Sequence, residues 1–256
     1  IEKNYGIHLK DDKQNVITSK LYKELINSNC NSFTEYFEYI RSDKSGKALV
    51  ELINKITTNH TYFMREADHF YYFRDKVLPY LTSTVVSKDL RIWSAGCSSG
   101  QEPYTLTMII DDYLKDEKVL WDTRILATDI YSKALNEAKK GVYSKEQIDT
   151  LPSLWRLNYF MNLCNNSYEI IDKIKAEVIF RKFNLMEDVF PFRKKFHTIF
   201  CRNVMIYFRH ETKIDLVNKF YDILEYGGYL FIGHTESIPR GETRFKYVMP
   251  AVYRKI

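Results

Sequence analysis

Apolar positions follow two regimes along the chain. Through residues 1 to about 85 they recur every three to four positions. NVITSKLYKELI puts Ile17, Leu21 and Leu25 on one stripe, and LVELINKI repeats the pattern with Leu49, Leu52, Ile53 and Ile56. Between them, SFTEYFEYI opens on a capping box, Ser32 to Glu35, with Phe33, Tyr36, Phe37 and Ile40 on its apolar side. TTNHTYFMRE interrupts the period, and Thr57, Thr58 and Asn59 suit a turn. A helical pattern resumes at Glu66 and runs through HFYYFRDKVLPYL. Pro79 and TSTVVSKD then read as an exit to a linker. Residues 1–85 are expected to form a helical domain and linker.

From Leu90 the grammar changes to strand and helix in alternation. RIWSA, RILATD, HTIFC and YLFIGHT read as strands; PYTLTMIIDDYL, SKALNEAKK and KIDLVNKFYDILEY read as helices. Ser132 is placed as an N-cap, Gly141 follows the end of its helix, and Gly227-Gly228 stops the last one. Short strands spaced by helices predict an α/β fold, a parallel doubly wound sheet over residues 86–256. FKYVMPAVYRKI reads as a further edge or hairpin strand. From about 155 to 180 the rhythm breaks into LNYFMNL, YEIIDKI and AEVIFRKF. A small antiparallel β insertion is expected there, with a helix followed by two strands as the other reading.

Composition narrows the class. The chain has 256 residues, 45% hydrophobic and 28% charged, with a formal charge of +5. That mild excess admits an acidic partner, nucleic acid included, but no basic tail predicts one. The cysteines at 30, 97, 164 and 201 form no CxxC and have no histidine at zinc-ligand spacing. No metal is expected, and free thiols suit a reducing cytosol. No apolar run reaches the length of a membrane span, so no membrane insertion is expected.

In open parallel sheets, ligands sit beyond the carboxyl ends of the strands. The turn Ala95-Gly96-Cys97-Ser98-Ser99-Gly100 lies at such an end. It is neither GxGxxG nor a P-loop. Glu102 follows in the first helical turn, where the dipole favours a carboxylate. It would oppose a pyrophosphate and suit a cationic or hydroxyl-bearing ligand. Asp129, ending the second strand, is where ribose hydroxyls are bound in such folds. Asn184 can donate and accept near an adenine edge. Together these favour S-adenosylmethionine over a nicotinamide dinucleotide. Plainer roles stand beside each: capping for Glu102 and Asp129, turn chemistry for Asn184. Arg202, set with Asn203 inside IFCRNVMIYF, could be a buried partner of Asp129 or Glu102. Arg65 could pair with Glu66 or Asp68 on an exposed helix, and Tyr207 could be core.

Six segments, in order, resemble the chemotaxis receptor protein-glutamate O-methyltransferase family: TTNHTYFMRE, SAGCSSGQEPYTL, ATDIYSKAL, FRKFNL, IFCRNVMIYF and GGYLFIGHTES. The family usually has Glu where this chain has Gln101. The resemblance implies a helical N-terminal domain and a Rossmann-like class I methyltransferase domain with a small antiparallel β subdomain. It implies methyl transfer from S-adenosyl-L-methionine to chemoreceptor glutamates, with S-adenosyl-L-homocysteine as product. Asn59, Thr61, Arg65, Glu102, Asp129, Asn184, Leu185, Arg202 and Asn203 would bind the cofactor. Arg65 and Tyr207 would stand near the transferred methyl.

A cytoplasmic monomer docking on the receptor methylation region is implied, with Lys13, Lys20 and Lys23 as the basic helix face. NLCNNSYE lacks the glycine-rich turn of relatives that bind a receptor tether, so no tether binding is expected. A same-fold methyltransferase of nucleic acid or small molecules is the first rival, but CRNVMIY stands where base-amino methylases carry an Asn/Asp-Pro-Pro-aromatic motif. A non-catalytic receptor-binding protein is the second.

Overall fold

A computed structural model describes residues 2–8, 14–28, 30–57, 60–239 and 241–256. Asn59, Thr58 and Lys13 lie outside the described residues, as does the side chain of Ile17. Two compact units result, one of residues 1–60 with 207–209, the other of 61–206 with 210–256. Residues 61–85 therefore belong to the unit that holds the sheet.

The first unit holds helices Gln14–Asn27, Phe33–Ser42 and Lys47–Ile56. Leu25, Tyr36, Ile40, Ala48 and Leu52 form its core. Ser32 caps the second helix by accepting from Glu35 N at 3.1 Å. Phe33 and Phe37, expected on the apolar side, are exposed. A ten-residue helix offers only one stripe to its neighbours, and Tyr36 and Ile40 fill it. Lys20 folds back, its Nζ donating to Ile56 O at 3.0 Å, so of the expected basic face only Lys23 is a described, exposed lysine. Ile7 bridges Phe208, and His8 N donates to Tyr207 O, which places Tyr207 with this unit.

The second unit is built on strands β1 (Ile92–Ala95), β2 (Ile125–Asp129), β6 (Val178–Lys182), β7 (Phe196–Cys201), β8 (Leu224–Ile232), β9 (Lys246–Met249) and β10 (Val252–Arg254). Their order is β6-β2-β1-β7-β8-β10-β9. β6, β2, β1, β7 and β8 run parallel, and β10 is antiparallel to both of its neighbours. This is the Rossmann-like class I methyltransferase sheet. A separate antiparallel sheet of β3 (Val142–Ser144), β5 (Ser167–Ile170) and β4 (Phe160–Asn162) forms the insertion. It starts earlier than residue 155 because Val142 pairs with Glu169. AEVIFRKF belongs to the main sheet, where Val178 pairs with Ile125. A helix, Ser153–Tyr159, precedes β4, so both sequence readings of this stretch hold in part.

Ser132, expected as an N-cap, is the first helical residue, with Tyr131 at the cap position and no side-chain cap. Two other helix ends also differ from the periodicity. The helix from Ala67 does not leave at Pro79 but continues to Thr84 through a π turn, Phe73–Val77. A widened turn absorbs the missing proline N–H. The last long helix, His210–Ile223, stops before Gly227 because Leu224 already pairs with Phe196. A register shift before the Thr198–Tyr229 pair takes up the extra residues, with Gly227 at φ 82°.

Two aromatic clusters fix the strands that carry the site. Trp93 on β1 is fully buried among Phe183, Phe190, Phe192, Phe196 and Phe220, and its Nε1 donates to Thr128 Oγ1 at 2.9 Å. Elsewhere in the core, Phe200 of β7 and Phe231 of β8 stack at 4.3 Å, with Phe70 and Phe73 packed against them. Burying each such side chain is worth about 1.5–3 kcal/mol. This second cluster anchors the helix that starts at Ala67, and so sets Glu66 beside the ends of β7 and β8.

Candidate active site

The ends of β1, β2 and β7 carry the candidate residues. After β1 the chain turns with Gly96 at φ 89°, Ser98 at 48° and Gly100 at 95°. A Cβ on Gly96 would overlap Val204 Cγ2, and one on Gly100 would lie 2.9 Å from Ala138 Cβ. Both glycines therefore also serve close packing. Gly96 N and Cys97 N donate to Thr128 O at 2.8 and 2.9 Å, which locks the turn to β2.

Asp129 accepts from Ser98 N at 2.8 Å through one oxygen and from Tyr131 N at 2.9 Å through the other. Burial pushes its pKa up, and these backbone donors oppose that. Each oxygen keeps lone-pair capacity for a hydroxyl donor. Capping and ligand binding are thus compatible here. Phe183 N donates to Asp129 O at 3.1 Å, which brings the FNL segment alongside. Asn184 Oδ1 accepts from Met186 N at 3.1 Å, the turn chemistry expected of it, and Leu185 beside it is buried. Thr61 is half-buried ahead of the turn that leads to Glu66.

Arg202 is the hub. Its guanidinium donates to Glu102 Oε2 at 3.1 Å, to Glu66 Oε2 at 3.0 Å, and to the carbonyl of Arg65. It lies over the Phe70 ring, and its side chain is 3% exposed. Glu102 Oε1 also accepts from Ser94 Oγ at 2.7 Å. Of the two partners left open for Arg202, the structure selects Glu102 and not Asp129. Glu66 pairs with Arg202, not with Arg65 as the exposed-helix alternative had it. It also accepts from Asn203 Nδ2 at 3.0 Å and from His234 N at 3.2 Å. Burial raises the Glu102 carboxyl despite Arg202. For Glu66 burial acts upward too, but Asn203, Arg202 and His234 outweigh it and hold it low.

Sequence reasoning assigned no part in the site to Glu66, Ser94, Glu236 or His69. Glu236 Oε2 accepts from Gly233 N at 2.6 Å and Asn203 N at 3.0 Å, and so holds Asn203 at φ 60°. Met64 and Glu66 also have positive φ, at 59° and 56°. Such non-glycine residues cost about 1–3 kcal/mol each and collect at functional sites. Glu66 and Glu236 both lie inside segments that carry the family resemblance, TTNHTYFMRE and GGYLFIGHTES, which is the signal that could have found them. His69 is fully buried; burial, then the Arg202 charge, lowers its pKa to about 4. Neither of its ring nitrogens makes a hydrogen bond, and Nδ1 lies 3.5 Å from Glu66 Oε2. Glu66, His69 and His234 bring ligand-type atoms within 4.8 Å of one another.

Residues 59–253 match the CheR methyltransferase SAM-binding domain, and residues 1–57 match the CheR methyltransferase all-alpha domain. The chain belongs to the CheR methyltransferase family. A chemotaxis protein methyltransferase of Borreliella burgdorferi is 44% identical over 98% of this chain and 90% of its own length. A probable chemotaxis protein methyltransferase of Rhizobium etli is 35% identical over 98% and 97%. The Escherichia coli chemotaxis protein methyltransferase is 32% identical over 97% and 85%. Membership of the CheR family makes this chain an S-adenosylmethionine-dependent methyltransferase. The carboxylates at the strand ends, Asp129 and Glu102, suit that cationic donor.

Proposed function

We propose that the protein transfers a methyl group from S-adenosyl-L-methionine to glutamate side chains in the cytoplasmic methylation region of chemoreceptors. The products are S-adenosyl-L-homocysteine and glutamate methyl esters, formed in chemotactic adaptation. One observation carries this reading beyond family membership. Glu102 and Asp129 stand at neighbouring strand ends, and Arg202 shares its charge between two carboxylates. Acidic strand ends of this kind attract a sulfonium nucleoside and repel a pyrophosphate.

When bound, the donor supplies an electrophilic methyl carbon on a cationic sulfur. Asp129 would accept from the ribose hydroxyls, and Asn184 and Leu185 would border the adenine. Glu102 would face the cationic cofactor, with Arg202 paired to it. Asn59, Thr61 and Arg65 complete the cofactor set by resemblance. A glutamate acceptor has a pKa of about 4.3 and is ionised at neutral pH, so no general base is needed. What remains is placement of the acceptor oxygen in line with the carbon. Arg65 holds one acceptor oxygen and leaves the other to attack. A shielded site would strengthen the attraction between an acceptor carboxylate and the cationic donor. Tyr207 is carried by the resemblance alone.

The chemistry requires no metal. The Glu66 oxygens in the Glu66–His69–His234 group already accept from Arg202, Asn203 and His234, and a guanidinium 3.0 Å from Glu66 opposes a second cation. No described helix is long and apolar enough to cross a membrane. We place the enzyme in the cytoplasm, as a monomer with no nucleic-acid partner.

Incubation with radiolabelled S-adenosylmethionine and receptor cytoplasmic fragments tests the reading. Base-labile label that disappears when the acceptor glutamates are changed to alanine is expected. Alkali-stable label, or label on RNA, overturns it.

A further inference from the structure

Arg202 is one cation between two carboxylates. Glu66 and Glu102 are each 13% exposed at the side chain, and both pair with the same guanidinium. With both ionised, this triad carries one negative charge in excess. His69 beside it is held neutral by burial, and His234 faces Asp68 at 3.1 Å, so neither imidazole cancels that excess. Asp129 adds a further carboxylate at the next strand end, and Glu236 another behind Asn203. The Arg65 carbonyl also holds Arg202.

We propose that Glu66 is a specificity-determining residue: by drawing half of the Arg202 charge away from Glu102, it leaves Glu102 with negative charge to spend on the sulfonium-bearing methyl donor. This rests on the reading that Glu102 faces the cofactor. S-Adenosylmethionine carries one net positive charge at neutral pH, whereas S-adenosylhomocysteine has lost the sulfonium and is a neutral zwitterion. Methyl transfer therefore removes from the cofactor the charge that the triad complements. The contribution of Glu66 is larger for the substrate than for the product, and it falls away when the reaction is complete.

Geometry supports the division of labour. Glu66 is fixed from three sides, by Arg202, Asn203 and His234 N. Glu102 has Ser94 Oγ and one arm of Arg202. If the Glu66 charge were lost, the whole guanidinium charge would fall to Glu102, and that carboxylate would be neutralised before any ligand arrived.

The test is calorimetric titration of the full chain with S-adenosylmethionine and, separately, S-adenosylhomocysteine. Glu66→Gln keeps the size of the side chain and its acceptor toward Arg202, and the Asn203 amide can turn over to match it. The ratio of the donor and product dissociation constants is expected to shift roughly 10-fold against the donor. Glu66→Asp keeps the charge, so it is expected to hold the wild-type ratio within about twofold even where both ligands weaken. An equal loss for both ligands in Glu66→Gln means a structural role only and overturns the proposal. A changed ratio in Glu66→Asp does the same, which keeps the test open should the Gln variant fail to fold. Wild-type protein that binds neither ligand sinks the cofactor reading itself, a separate outcome.

Discussion

The ends of β2 and β7 solve the same problem in opposite ways. Each must hold a charged side chain, Asp129 or Arg202, where a parallel sheet meets a ligand. Asp129 is held by backbone N–H groups, one two residues along the chain and one from the turn after the adjacent strand. Arg202 is held by side chains and a carbonyl drawn from sequence separations of 100 to 137 residues. Backbone donors come with the turn and cost little to assemble. Distant partners must be brought by packing, here by Phe70 and Phe73 against Phe200 and Phe231. The β7 end is therefore where stability and function are most tightly joined.

The strongest way to break this contrast is Arg202→Met. It strands Glu66 and Glu102 in a buried setting without their cation. Removing one partner of such a group costs about 3–5 kcal/mol. Urea denaturation should show a loss of that order; a loss under about 1 kcal/mol would mean that the triad is well solvated.

Acid should act on the same region next. His69 is fully buried, and its folded pKa of about 4 lies below the unfolded 6.5. The unfolded state then binds the proton first, so stability is intact above pH 6.5 and declines as pH falls toward about 4. The loss is about 1.4 kcal/mol for each pH unit in that window. His197, also buried and lowered to about 4, adds a parallel loss away from the site. The raised carboxyls of Glu102, Asp129 and Glu236 act in the opposite sense. The difference between wild type and His69→Phe isolates the His69 share. Identical pH slopes in the two proteins would remove His69 from the account.

Gly96→Ala probes the seam between the β1 turn and the β7 end. The added methyl meets Val204 in a backbone conformation with φ 89°. A loss of about 1–3 kcal/mol is expected in thermal or chemical melts. Val204→Ala in the same chain should return part of it, because the overlap goes while the backbone strain stays. Strict additivity of the two changes would deny the contact.

Asp129→Ala should be the mildest for the fold and the cleanest for the ligand. Hydrogen bonds to a charged group are worth about 1.5–3 kcal/mol, so donor affinity should fall by at least about tenfold. The melting curve should move less than for Arg202→Met. A stability loss matching that variant would show that the β2 end is no more local than the β7 end.

Much of this was legible in the residues themselves. Strand and helix alternation from Leu90, the glycine turn, Asp129 after RILAT and the Ser32 cap are local events, although Glu35 answers Asn31 N and so leaves the capping box half made. Each depends on neighbours within a few positions, and periodicity and turn chemistry report those. The register of β8, the continuation of the helix through Pro79 and the membership of residues 178–182 in the main sheet are not local. They depend on which strand lies alongside, and a short apolar run has the same pattern in either sheet.

The sequence alone determined the fold class, the family, and the identity of the charged residues at the strand ends. Only the tertiary structure decided who pairs with whom. Arg202 was readable as a buried cation, but the choice of Glu102 and Glu66 over Asp129 is made by the packing of the helix after Glu66 against β7 and β8. Hydrophobic burial is what brings those chains together, and it is indifferent to the carboxylates it carries along. Their pairing follows from distance in space, which residue order does not encode until the core has closed.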